Sequence, residues 1–171
     1  MSYQALPYTY GARTEAQIDS ISGMRSGATV FNTTSQYMET YNGRVWMDER
    51  SVCFKVAAEP GTVSKGQLLK TTSTGEVQLA VNSSSQGERE KFCGVATRAS
   101  VSGFVAVAHC GKVKALAGGP IVRGRGAVID GTAGRFDDVT SPASGTLGMT
   151  LETGSTGSLL WIALQTIEIS N

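Results

Sequence analysis

From residue 51 onward, apolar side chains fall on every second position. Val52, Phe54 and Val56 alternate with Cys53 and Lys55; Val77, Leu79 and Val81 alternate with Gln78 and Ala80. The run from Phe104 to Ala117 keeps this period with a break at Gly111, and it returns at Leu147, Met149 and Leu151 and from Trp161 to Ile169. Segments such as EPGTVSKG, STGE, NSSSQGERE, AGGP, DGTAGRFDD, SPASG and TGSTGS separate these runs with turn formers. A period of two at this spacing, with no helical period between, predicts an all-β domain over 51–171. Its form is a small antiparallel β-barrel or sandwich.

The first fifty residues follow another plan. Residues 1–13 lack periodicity yet carry Tyr3, Leu6, Tyr8 and Tyr10 around Pro7, so this extended arm either packs on its own body or lies on a partner. Thr14-Glu15-Ala16-Gln17 fits a capping box. Ile18 and Ile21 share one helical face, and Gly23 suits the C′ position. A β-hairpin is expected next within the 14–50 module: strands near 28–32, 36–41 and 44–48, the last two joined through Asn42-Gly43 in a type I′ turn. Its aromatic content is high for this chain. An isolated hairpin is marginal in water, so Tyr37, Met38, Tyr41 and Trp46 join the arm residues Tyr3, Leu6, Tyr8 and Tyr10 as candidates for a subunit or partner interface; packing onto residues 51–60 is the competing expectation.

Composition narrows the function. The 171 residues carry 15 Lys+Arg against 14 Asp+Glu, and this near-neutral balance argues against nucleic acid as the main partner. The longest apolar run, Leu159 to Leu164, is far short of the roughly 20 residues of a membrane helix, and no secretory pattern opens the chain, so neither a membrane nor export is expected. Glycine is abundant at 21 residues, which suits tight turns between short strands. Cys53, Cys93 and Cys110 have no CxxC spacing and read as reduced thiols.

Catalytic chemistry finds little support. His109 is the single histidine, and strand neighbours point to opposite faces, so it makes no dyad with Cys110. Asp137-Asp138 in a Gly-rich stretch reads as a turn former rather than a cation site. GGPIVRGRGAV lacks the phosphate-loop pattern. Arg123 and Arg125 are placed on one strand face, with Lys112 and Lys114 on a neighbour, as a basic stripe for an acidic protein surface or as a plain solvated face. Asn32-Thr33-Thr34 and Asn82-Ser83-Ser84 match glycosylation sequons that carry no meaning without export. No cofactor, metal or small-molecule ligand is expected, and no enzyme activity.

Two stretches resemble known phage proteins. Val30-Phe31-Asn32-Thr33-Thr34 and Tyr41-Asn42-Gly43-Arg44-Val45-Trp46, within 14–49, are similar to the helix-plus-hairpin module of phage tail-fibre and head-fibre proteins. Gly94-Val95-Ala96, Val105-Ala106-Val107 and Gly111-Lys112-Val113, within about 53–165, are similar to the small β-barrel decoration, or cement, proteins of tailed phages. The resemblance implies a structural virion protein on the capsid surface, made in the host cytoplasm. It would bind the major capsid protein as a homotrimer and bridge capsid subunits. The alternative it leaves open is a tail, baseplate or head-fibre component that binds host glycan.

Overall fold

The computed structural model describes residues 9–59, 61–81, 91–140 and 146–165. Tyr3, Leu6 and Tyr8 lie outside these residues, as do the sequon at Asn82 and the end of the closing run toward Ile169. The chain divides into two compact units, one ending at Glu49 and the other beginning at Arg50.

The first unit is a four-stranded sheet in the order β1-β2-β3-β4, formed by Thr9–Arg13, Thr29–Asn32, Tyr37–Tyr41 and Trp46–Met47. Strand β1 runs parallel to β2, and helix α1, Glu15–Asp19, lies on the connection between them. Residues 9–13 are therefore a sheet strand rather than arm, which corrects the sequence expectation for Tyr10. The capping box forms as expected: Gln17 N donates to Thr14 Oγ1 at 3.4 Å, and Thr14 N donates to Gln17 Oε1 at 2.9 Å. The helix stops earlier than expected, with Ser20 as C-cap. Gly23 is not its C′ residue, although φ there is +68°.

The turns of this unit are built by asparagine side chains. Asn32 Oδ1 accepts from Thr34 N at 2.9 Å and Ser35 N at 3.2 Å, which reverses the chain into β3. Asn42 Oδ1 accepts from both Arg44 N and Val45 N at 2.9 Å. Tyr41 pairs with Trp46 across this second turn, so residues 42–45 form the loop. The type I′ expectation is thereby corrected. That turn needs positive φ at both central residues, and of the two only Gly43 has it, at +94°.

The second unit stacks two five-stranded sheets. One is ordered β5-β9-β8-β6-β7, from Ser51–Lys55, Phe104–Ala108, Phe92–Ala96, Leu68–Thr71 and Val77–Leu79. The other is ordered β10-β14-β13-β11-β12, from Gly111–Leu116, Leu159–Leu164, Gly148–Thr150, Gly126–Ile129 and Phe136–Val139. Leu68, Val95 and Ala108 of the first sheet share a buried cluster with Val113, Ala115, Ala127, Phe136 and Ile162 of the second. A smaller cluster of Val56, Val63, Leu69, Val77, Val105 and Val107 includes two residues outside the strands. Both faces of the first sheet are covered, which is why all five residues of β8 are buried.

Of the two all-β forms expected, this is the sandwich. A single parallel bridge, Ala117 to Phe136, leaves the second sheet open. Gly111, at φ +76°, turns the chain from β9 in one sheet to β10 in the other, where the alternation breaks. Gly94 marks a close backbone approach: a Cβ there would lie 2.1 Å from Ala108 O.

Candidate interaction surfaces

In the first unit the two faces of the sheet differ in kind. One face packs Val30 and Trp46 with Ile18 and Ala28, and Tyr10, Ile21, Met24 and Tyr41 close over them. Tyr41 tilts on Trp46 with ring centroids 5.5 Å apart, and Tyr10 meets it edge-on at 6.4 Å. The hairpin therefore does bury its tryptophan, against the helix and β1. Trp46, 5% exposed, is a core residue of this unit and offers no surface; Tyr10 and Tyr41 are half-buried supports. The same face buries Asn32, whose Nδ2 donates to Glu39 Oε1 at 2.7 Å.

The opposite face is open. Register places Ala12, Phe31 and Met38 side by side across three strands, and Thr29, Thr40 and Met47 in the next row. None of these side chains is charged. Met38 is 53% exposed and Phe31 half-buried. Of the hairpin candidates, Met38 lies on this face, whereas Tyr37 pairs with Asn32 on the other. Phe31, Thr29, Thr40 and Met47 were missed as candidates. Counting every second residue away from Met38 along β3, and then across the pairing, would have found them.

In the second unit the expected basic stripe separates into two places. Lys112 and Lys114 lie on β10, but β14 and β13 stand between β10 and β11. Arg123 sits in a turn before β11 rather than on a strand, and exposed. Arg125 is committed elsewhere: its guanidinium donates to Asp138 Oδ1 at 3.3 Å, and Asp138 Oδ2 accepts from Val122 N at 2.5 Å. Asp137 and Asp138 thus lie in strand β12, correcting their placement in a turn, and Asp138 anchors the 122–125 turn. The two lysines instead converge on Trp161 of β14, with Nζ atoms 4.4 and 5.3 Å from its ring centroid. Sequence reasoning missed Trp161 because its partners belong to a strand far away in the chain.

The remaining reactive groups are dispersed. His109 follows β9, and its backbone N–H donates to Arg50 O at 3.1 Å. Its Nδ1 is buried without a hydrogen-bond partner. Burial pushes the Cys93 thiol up to about 12, and its Sγ donates to Leu69 O at 3.4 Å. Cys53 and Cys110 are half-buried free thiols. Among the described residues, no three His, Cys, Asp or Glu side chains are grouped to hold a metal ion.

No protein-family model matches the chain, and no curated protein matches it. Among solved structures the chain is similar to the N base of head fiber gp8.5 of bacteriophage phi29. The TM-score is 0.47 at 16% identity, over 71% of this chain and 98% of that one. A likeness of this degree assigns no family. What the described residues define by themselves is an all-β protein with one uncharged exposed sheet face in its first unit and a Lys112–Lys114–Trp161 cluster in its second.

Proposed function

We propose that this chain is a non-catalytic structural protein of a phage virion, attached to the outside of the head as a decoration or head-fibre component. The reading joins the sequence resemblance of residues 14–49 and 53–165 to one observation: the first unit presents an uncharged sheet face, Ala12, Phe31, Met38, Thr29, Thr40 and Met47, on which Met38 is 53% exposed. Such a face gains free energy when covered, at roughly 25 cal/mol per Å² of apolar surface removed from water. The partner in this reading is the major capsid protein together with sister copies, and a homotrimer suits the local threefold axes of a capsid. Contacts to several subunits at once add binding only when the shell is assembled, and so stabilise it.

The test is co-sedimentation of the purified chain with emptied capsids of its source virus. Met38→Glu should abolish co-sedimentation while shifting the unfolding free energy by no more than about 0.5 kcal/mol, because the side chain is exposed. Undiminished sedimentation of that variant would remove this face from the attachment. If the wild-type chain stays in the supernatant, the capsid reading itself fails.

A further inference from the structure

A second exposed face is built differently. On the side of the β10-β14-β13 sheet turned away from the core, pairing sets Lys112, Ala163, Met149 and Gly126 in one row across four strands. Lys114 and Trp161 form the neighbouring pair. Met149 is 51% exposed and Leu159, on the same side of β14, is 37% exposed. Thr146 and Val139 fill the space over Gly126, whereas the small Ala163 leaves a hollow beside Met149. It belongs to a cavity of about 300 Å³ whose lining includes Gly126, Met149, Ala163, Arg125 and Gln165. The charges that β10 itself sets on this surface are both positive, and the nearby Glu152 carboxylate is engaged, its Oε2 accepting from Trp161 N at 3.0 Å. Lys112 is exposed and Lys114 half-buried, whereas Arg125 is neutralised by Asp138.

We infer that this face binds an acidic segment of a partner protein, with an apolar side chain of that segment in the hollow beside Met149 and its carboxylates on Lys112 and Lys114. Charge complementarity selects the occupant. The two ammonium groups are held near Trp161 rather than spread into solvent, so less side-chain entropy is lost when they meet carboxylates. The indole that both ammonium groups approach offers a partner segment an apolar floor beside them. The backbone of β10 is already engaged at two places: Arg50 Nη1 donates to Lys112 O, and Leu116 N donates to Gly66 O at 2.8 Å. Recognition therefore runs through side chains on the face and not through addition of a strand to this edge. The inference stands whether or not the virion reading holds, since it needs no capsid.

The experiment uses the whole chain and a short synthetic peptide rich in glutamate with one central leucine. Binding is followed by the indole N–H signal of Trp161 in nitrogen-15 correlation spectra, with the buried Trp46 signal as an internal reference. The wild-type chain should move only the Trp161 signal, with an affinity that falls as salt rises. Lys112→Ala with Lys114→Ala should weaken binding about tenfold, and Met149→Glu should abolish it; Lys91→Ala, an exposed lysine elsewhere, should leave it unchanged. An all-glutamate peptide should bind several-fold more weakly than the leucine-bearing one. The inference is overturned by no shift at millimolar peptide, by equal affinity in the double lysine variant, or by equal binding of the two peptides. Tighter binding of an oligonucleotide to the same residues would overturn it as well, by assigning the face to nucleic acid.

Discussion

The two units solve the problem of a hydrophobic core in different ways. The second stacks two sheets, so one cluster from Leu68 to Leu164 draws on both and excludes water from two directions. The first has one sheet with a five-residue helix on it, and its core is four buried side chains with four more leaning on them. A unit of about forty residues is near the lower limit for independent stability. Its free sheet face is the complement of that thin core: surface that a second layer would cover in a larger domain stays exposed. The difference teaches that an exposed sheet face and a thick core can belong to different parts of one chain; in the proposed reading these are the attachment surface and the scaffold.

Removing the largest core side chain of each unit breaks the comparison most sharply. Trp46→Ala and Phe136→Ala should each cost about 3–5 kcal/mol. In the first unit this removes the largest of only four buried side chains, so residues 9–49 should lose protection from proteolysis and amide exchange under native conditions. Phe136→Ala should instead leave a folded chain whose denaturation midpoint is lower, because its cluster is several times larger. If Trp46→Ala lowers a single shared transition with no local loss of protection, the first unit is not thin in the sense argued.

The buried polar groups sharpen the same contrast. Asn32 is 1% exposed, and it spends its side chain twice, on the 32–36 turn and on the Glu39 carboxylate. Asn32→Ala withdraws two acceptor contacts and one donor from buried or half-buried groups, so it should cost about 1–3 kcal/mol. Asn32→Asp keeps the acceptor side but sets a second carboxylate against Glu39, and it should recover none of the loss at neutral pH. Thermal melts monitored at the first unit decide this; full rescue by aspartate would show that only the turn matters.

Much of the second unit was legible in the sequence because each strand there declares itself locally. Val105 and Val107 follow the pleat whatever their neighbours are; the alternation at Leu147, Met149 and Leu151 marked a strand but named the wrong face, since Met149 is exposed and Gly148 and Thr150 are buried. Strand order did not follow from that pattern, and the basic stripe failed for this reason. Lys112 and Arg125 look like partners on adjacent strands until pairing inserts β14 and β13 between them. In the first unit the capping box at Thr14 was local and was read correctly, whereas β1 was missed. A parallel strand gains its meaning from β2, beyond a helix, and Thr9–Arg13 has no alternation of its own. Trp46 was read as surface because its cover, Tyr10 and Ile18, comes from that unread strand and from the helix. Local chemistry marks elements; nonlocal pairing decides which side chains face outward.

The smallest expected effect concerns the buried thiol of Cys93, which belongs to the thicker unit. Cys93 is 1% exposed in β8, and its thiol stays protonated to about pH 12, against an ordinary value near 9. Unfolding releases it to that ordinary value. Stability from this group is therefore complete below about pH 9 and declines as pH rises toward 12, at up to about 1.4 kcal/mol per pH unit. Other groups also titrate in this range, so the measurement is a difference. Between pH 8 and pH 10 the wild-type chain should lose about 1 kcal/mol more than Cys93→Ala, in which no thiol can ionise on unfolding. Alkylation of the folded chain at pH 8 should modify the half-buried Cys53 and Cys110 and spare Cys93. Parallel stability curves for the two proteins, or modification of Cys93 at the rate of the other two, would mean that the second unit opens to water at β8. The contrast between a thick unit and a thin one would then be lost at the place where it should be strongest.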